Sequence, residues 1–351
     1  MDRIAAASPE ERADLFQQAA AQLRPTRAPA IIEKDFWVCW TLRRIFAIMR
    51  FRPQLIFKGG TSLSKAYQVI ERFSEDVDLS LSRRDLGFAD GRDPEQPGIS
   101  KKEAQRRLDA LVAGCHKAIR ERLLPELRED FARVLGTSGW NADLDPADPH
   151  TVIFTYPRSG LSEGAATYIR PAIRLEMGAR SNDWPAEERD ISPYAAEAFP
   201  EAFDIARSCS VRTMEAARTF WEKATLLHAD YHRPAQKAAT ERVSRHFYDL
   251  YRLSQHEIGR QALAKLDLLE RVVTHKRLFF AAAWANYETA KPGTFHLLPP
   301  ADRMATLRND YSQMRAMIFG AYPSWEEILS GLRTLERQIN NQQAAGIEQT
   351  T

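Results

Sequence analysis

Asp76-Val77-Asp78 sets two carboxylates one residue apart, in a run where Val77, Leu79 and Leu81 alternate with Asp76, Asp78 and Ser80. Such period-2 alternation predicts a half-buried strand, and residues i and i+2 of a strand project from one face. Two anions held that close repel each other, and a bound divalent cation relieves the repulsion. The pair therefore reads as a metal clamp. Upstream, the apolar run Leu55-Ile56-Phe57 ends at Gly59-Gly60-Thr61, and residues 62–72 (SLSKAYQVIER) follow with a helical pattern. A glycine turn between a strand and a helix leaves unpaired helix N–H groups that can donate to phosphate oxygens. A lone Asp-x-Asp is common on surface strands, and a lone Gly-Gly is often only a tight turn. Together they point to metal and phosphate chemistry.

The elements that must carry these residues are legible around them. Ser8-Pro9-Glu10-Glu11 predicts a capped helix running to Leu23. Residues 31–50 form a broadly apolar helix pattern that belongs in a core. Residues 83–100 are rich in Asp, Gly and Pro and read as a loop before a charged helix over 100–128, with strand-like stretches at 131–135, 151–156 and 168–177. Residues 182–200 hold three prolines and read as a linker or excursion, and beyond about 212 nearly everything is helical. The fold class implied is α+β: a mixed sheet with helices, followed by a helical domain. The boundaries expected are 1–205 for the first domain, 206–340 for the helical domain, and 341–351 for a flexible polar tail.

Composition excludes several classes of function. Lys and Arg number 49 against 47 Asp and Glu, so no global field attracts nucleic acid. A local excess does exist: residues 207–245 hold eight basic side chains and four acidic ones, which fits either a polyanion surface or a solvated helix face. Three distant cysteines support neither a disulfide framework nor a zinc site. The N-terminus lacks the basic end and apolar core of a signal peptide, and no window reaches the length of a membrane span, so a cytoplasmic protein without membrane contact is expected. His228 and His232 share a helical face but lack the glutamate and third ligand of a hydrolytic zinc site. Ser62, Ser64 and Ser74 have no paired histidine and acid for hydrolase chemistry; they can hydrogen-bond phosphate or accept a modification.

The motif run Lys58-Gly59-Gly60-Thr61, Leu63, Lys65, Tyr67 and Arg72-Phe73-Ser74 with Asp76 and Asp78 resembles the nucleotidyltransferases of the polymerase β-like superfamily. Within that superfamily it resembles the AbiEii/AbiGii toxin family, to which MenT-type toxins are related. Glu33-Lys34-Asp35 is similar to the helix these toxins carry before the catalytic strand, and Ile173-Arg174-Leu175-Glu176 to the strand that supplies a third acid. Arg218–Lys223 and Arg245–Leu250 resemble the family's helical motifs with a functional lysine and aspartate.

The resemblance implies transfer of a nucleotide from an NTP, with Mg²⁺ (or Mn²⁺) held by Asp76, Asp78 and Glu176. Lys58, Gly59, Gly60, Thr61, Ser62, Lys65 and Lys223 would bind the nucleotide, and the helical domain would complete the active site. Glu176 would complete the metal shell or take the acceptor's proton; as a residue alone it is equally a carboxylate paired with Arg174. Lys223 would neutralise phosphates, or else form a helix salt bridge. Asp249 would position Lys223 or the nucleotide, or else make a helix-surface pair. The implied acceptor is RNA, specifically the 3′ end of tRNA, with inhibition of translation as the outcome and a cognate antitoxin protein as partner. Protein nucleotidylation and a non-catalytic nucleotide- or antitoxin-binding module are the alternatives.

Overall fold

The computed structural model describes residues 1–48, 55–161, 170–181, 184–237 and 242–347. The last residues of the helix pattern at 31–50, the first residues of the strand-like stretch at 168–177 and the end of the tail at 348–351 lie outside the described residues.

The chain divides into two units, the first comprising Met1–Tyr67 and Phe73–Met214 and the second Gln68–Arg72 and Glu215–Thr351. In the first unit α1 (Asp2–Ala5), α2 (Pro9–Gln22) and α3 (Pro29–Ala47) lead into β1 (Leu55–Lys58), α4 (Gly59–Lys65) and β2 (Asp76–Leu81). Then come α5 (Lys101–Ala118), α6 (Leu124–Leu135), β3 (Asn141–Asp145), β4 (Asp148–Thr155), β5 (Ala172–Gly178), β6 (Ala186–Ile191), α7 (Tyr194–Ala198) and β7 (Cys209–Met214). The seven strands make one mixed sheet in the order β3-β4-β5-β2-β1-β7-β6. β2 lies antiparallel to β1 and parallel to β5, so the two elements that flank the Asp-x-Asp pair come from opposite ends of the unit's sequence.

Strand alternation separates the sheet's faces. Val77, Leu79, Leu81, Ile173, Leu175, Val152 and Phe154 are essentially fully buried. Against them pack the aromatics of α3 and α6: Trp37 and Trp40 lie 6.0 and 5.9 Å from the Phe154 ring, and Phe131 lies 4.8 Å from it. Aromatic side chains of this size dominate a core because each buries a large area. The opposite face carries Asp76, Asp78, Arg174 and Glu176, all partly exposed. Ser8 opens α2 with a reciprocal capping box to Glu11, as its sequence predicts.

Several local expectations change. Residues 131–135 are helix, not strand: Leu124, Leu127 and Phe131 fall at helical spacing and are buried together. The helix expected over 62–72 stops at Lys65; Gln68 takes a left-handed φ of +54° and residues 68–72 join the second unit. Residues 186–191, expected in a linker, form β6, paired along its whole length with β7. Because β7 belongs to the sheet, the first unit ends at Met214 rather than 205. Residues 341–347, expected in a flexible tail, continue the last helix.

The second unit contains α8 (Ala216–Tyr231), α9 (Ser244–Gln255), α10 (Glu257–Leu263), α11 (Leu266–Phe279), α12 (Met304–Gln313) and α13 (Trp325–Ile347). α8 packs on α9, α10 and α11, while α9 also contacts α12 and α13. Residues 68–72 are woven in through the Phe319 amide, which donates to the Glu71 carbonyl at 2.8 Å, and through an isolated bridge of Arg72 with Ile318. Among the described residues, no helix is long and apolar enough to cross a membrane.

His228 shows how polar groups are absorbed in this unit. It is fully buried, its Nδ1 accepts the His296 backbone N–H at 3.1 Å, and its Nε2 faces the Asn286 carbonyl at 3.2 Å. It is thus a satisfied core histidine. Burial, helped by nearby His232 and His296 and opposed by the Asn286 carbonyl, pushes its pKa down to about 4. An unfolded histidine protonates near pH 6.5, so as pH falls the unfolded chain takes up the proton first. This contribution to stability is full above about pH 6.5 and is lost as pH falls toward 4. Urea unfolding across that range should therefore show a steeper loss of stability in the wild type than in His228→Gln; parallel profiles would clear His228 as the cause.

Candidate active site

The register of β2 against its neighbours assembles the site. Asp78 is the cross-strand partner of Glu176 on β5 and of Lys58 on β1, while Asp76 is the partner of Arg174. Neighbouring strands run about 4.8 Å apart, so Asp76, Asp78 and Glu176 form an acidic patch on one face. Arg174 sits inside it, with Nε 3.6 Å from Glu176 and NH1 2.8 Å from Asp145. Burial works against the guanidinium's charge, but Asp145, Glu176 and Asp76 outweigh it and raise the Arg174 pKa. The pairing of Glu176 with Arg174 is thus present, and it leaves Glu176 beside Asp78.

The glycine turn abuts this patch. Gly59 has φ +78°, and a Cβ built there would lie 2.0 Å from Asp78 Oδ2. The carboxylate rests against the bare Cα, so the position excludes any side chain. Thr61 Oγ1 donates to the Asp76 carbonyl, tying the first turn of α4 to the start of β2. Ser62 Oγ donates to the Gly59 carbonyl at 2.9 Å, and Ser64 Oγ to the Thr61 carbonyl at 3.0 Å. These hydroxyls are engaged by the turn itself. Gly60 and Lys58 remain partly exposed at the strand end.

Lys65, expected to bind nucleotide, is placed elsewhere: it is 6% exposed, with its ammonium 2.7 Å from Asp35 and 3.7 Å from the centre of the Tyr194 ring. Burial alone would lower its pKa, but Asp35 outweighs that and keeps it raised. Its charge serves the core.

In the second unit, Lys223 and Asp249 meet. Lys223 Nζ is 2.7 Å from Asp249 Oδ2, and Arg72 grips the same carboxylate with Nε at 2.7 Å and NH2 at 2.8 Å. All three are buried, Asp249 completely. Burial would raise the Asp249 carboxyl, yet Arg72 and Lys223 hold it well below the usual range. Lys223 is lowered by burial, with Arg72 and Arg245 adding to that and Asp249 opposing it. Arg72 has no assigned role in the sequence pattern, although it stands in the motif run. Its partner lies 177 residues away, so spacing carries no signal for it.

The donor set fits a hard divalent cation. Mg²⁺ takes oxygen ligands, keeps several waters, and is usually held by one or two carboxylates plus substrate phosphates. Among the described residues no three His, Cys, Asp or Glu side chains stand together as a site for a metal ion.

Residues 40–331 match the model of the nucleotidyl transferase AbiEii toxin family of type IV toxin–antitoxin systems. The chain belongs to this family. It is therefore a nucleotidyltransferase toxin of that type, a class with a nucleotide substrate and an antitoxin partner. Among solved structures it is similar to MenT4, a nucleotidyltransferase toxin from Mycobacterium tuberculosis H37Rv, at 15% identity and TM-score 0.44, over 93% of this chain and 97% of that one. It is also similar to JHP933 from Helicobacter pylori, at 12% identity and TM-score 0.41, over 91% and 98%. Curated protein sequences give no match.

Gly59→Ala tests the contact that frames this family site. The left-handed φ alone costs about 1–2 kcal/mol, and the added methyl must displace the Asp78 carboxylate. A modest drop in Tm with loss of most nucleotide transfer is expected; a variant that is destabilised but fully active would show that Asp78 need not lie against the turn.

Proposed function

We propose that the chain transfers a nucleotidyl group from an NTP to the 3′ end of tRNA, using Mg²⁺ held by Asp76 and Asp78 together with substrate phosphates. The observation that carries the reaction class is the register of Asp78 with Glu176 against the Gly59 turn. When bound, the metal would supply charge neutralisation at the α-phosphate and at the leaving oxygens. The acceptor hydroxyl attacks the α-phosphorus, one P–O bond forms, the α–β bridging P–O bond breaks, and pyrophosphate leaves. The hydroxyl proton passes to Glu176, whose side chain is 42% exposed and so reachable by substrate. The Gly59–Thr61 amides would donate hydrogen bonds to phosphate oxygens, and Lys223, fixed by Asp249, is the second unit's candidate cation for the NTP.

The choice of tRNA rests on the family resemblance and on the basic side chains of residues 207–245. Arg233 and Lys237 lie 4.6 and 5.3 Å from the centre of the Trp284 ring, so cations and an aromatic share one surface region. Inhibition of translation in the cytoplasm, relieved by a cognate antitoxin, is the proposed biological consequence.

Asp76→Ala and Asp78→Ala should abolish transfer while keeping the fold, because each removes metal-binding charge and relieves repulsion. Near wild-type turnover at saturating Mg²⁺ in either folded variant would sink the metal assignment. Lys223→Ala should weaken NTP use strongly, with Lys223→Arg restoring only part, since a planar guanidinium does not reproduce an ammonium point charge. Unchanged NTP affinity and turnover would reduce Lys223 to a structural pair.

Acceptor choice is read from a salt series with labelled NTP and purified tRNA. Polyanion binding by several cations falls steeply with salt. A variant carrying Lys237→Glu, Arg242→Glu and Arg233→Gln should raise KM for tRNA more than KM for NTP; glutamine is used at Arg233 because its guanidinium holds the buried Asp230 at 3.1 Å. Indifference to both salt and charge, or label appearing in protein and not RNA, would favour protein nucleotidylation.

A further inference from the structure

Glu33, Lys34 and Asp35 are consecutive ionic residues of α3, and each is no more than 2% exposed. Successive helix side chains diverge by about 100°, so the three reach different segments. Glu33 accepts the Ser159 backbone N–H at 3.0 Å. Asp35 takes Lys65, the last residue of α4, at 2.7 Å, and the Tyr194 backbone N–H at 2.6 Å. Lys34 Nζ lies 2.6 Å from Glu75 Oε2, on the residue immediately before Asp76. One helix thus grips both segments that frame the carboxylate pair: the end of the helix that begins at Gly59 and the entry to β2.

Buried ion pairs add little net stability over well-packed apolar groups, so stability alone does not explain two of them on adjacent residues beside a buried Glu33. What they supply is direction.

We infer that Lys34 is a positioning residue for the reaction: by holding Glu75 it fixes the entry to β2 and with it Asp76, thereby setting divalent-ion affinity and turnover. This rests on the reading of Asp76 and Asp78 as metal ligands. Loss of such outer contacts typically lowers metal affinity or activity by about 10- to 100-fold.

The test compares full-length wild type, Lys34→Met, Lys34→Arg, Glu75→Gln and the Lys34→Met/Glu75→Gln double variant. Far-UV circular dichroism and thermal unfolding report folding, Mn²⁺ titration by electron paramagnetic resonance reports ion affinity, and transfer kinetics give kcat and KM. Lys34→Met should weaken Mn²⁺ binding and lower kcat by about 10- to 100-fold, with a smaller change in KM for NTP. Lys34→Arg should recover part of both. The double variant should be no worse than Lys34→Met, because the two residues act as one unit. If wild type binds Mn²⁺ and Lys34→Met, corrected for the folded fraction, keeps its affinity and kcat, Lys34 is only a fold contact and the inference fails. Should Lys34→Met not fold, Glu75→Gln decides: its side chain is 15% exposed, and unchanged Mn²⁺ affinity and kcat would overturn the inference equally. A folded wild type with neither Mn²⁺ binding nor transfer would instead overturn the metal-carboxylate reading and this inference with it.

Discussion

Like charges crowded on one sheet face are the constraint from which the rest of the first unit follows. Asp76, Asp78 and Glu176 fall on adjacent strands in direct register, and each would be more stable apart. The sheet tolerates them because the opposite face is heavily apolar and pays for the whole, with Trp37, Trp40, Phe131 and Phe154 in mutual contact. Locally, Arg174 offsets part of the repulsion from within the patch. The bare Cα of Gly59 gives the Asp78 carboxylate room that any side chain would remove. An acidic face held together this way is the charge that the proposed Mg²⁺ would neutralise.

The buried ions on α3 address a second problem, which is that electrostatic repulsion can be relieved by movement as well as by a metal. Fixing both the approach to β2 and the end of α4 to one rigid helix removes that freedom. Pairing through Lys34–Glu75 and Asp35–Lys65 does so with direction, which apolar packing alone lacks. Active sites commonly depend on such supporting contacts to hold reacting groups in place.

The second unit solves the converse problem for positive charge. Lys223 sits in a low-exposure setting that disfavours its ammonium, and Asp249 keeps it in place. Arg72 in turn fixes Asp249 through a bidentate contact, the geometry in which guanidinium–carboxylate pairs are strongest. The five residues 68–72 leave the first unit's sequence to make this contact, and the left-handed turn at Gln68 is where they depart.

The local placement of the candidate site residues was the part of this protein most fully written in its sequence. Asp76 and Asp78 on one strand face, Gly59 at the turn, Glu176 on an alternating strand and the motifs around Lys223 and Asp249 were all legible, because periodicity and local turn chemistry act over a few residues. The mixed sheet and the helical second half followed from the same patterns. Tertiary structure decided the rest. It paired Lys65 with Asp35 beside the Tyr194 ring, partners that come from distant segments. It turned 131–135 into helix, because Phe131 packs with Trp40 and Phe154. It gave β6 a partner in β7 and so moved the domain boundary to Met214. It gave Arg72 its purpose through a carboxylate 177 residues away. Each of these depends on which remote group a residue meets, and a linear pattern carries no information about that meeting until the chain has folded.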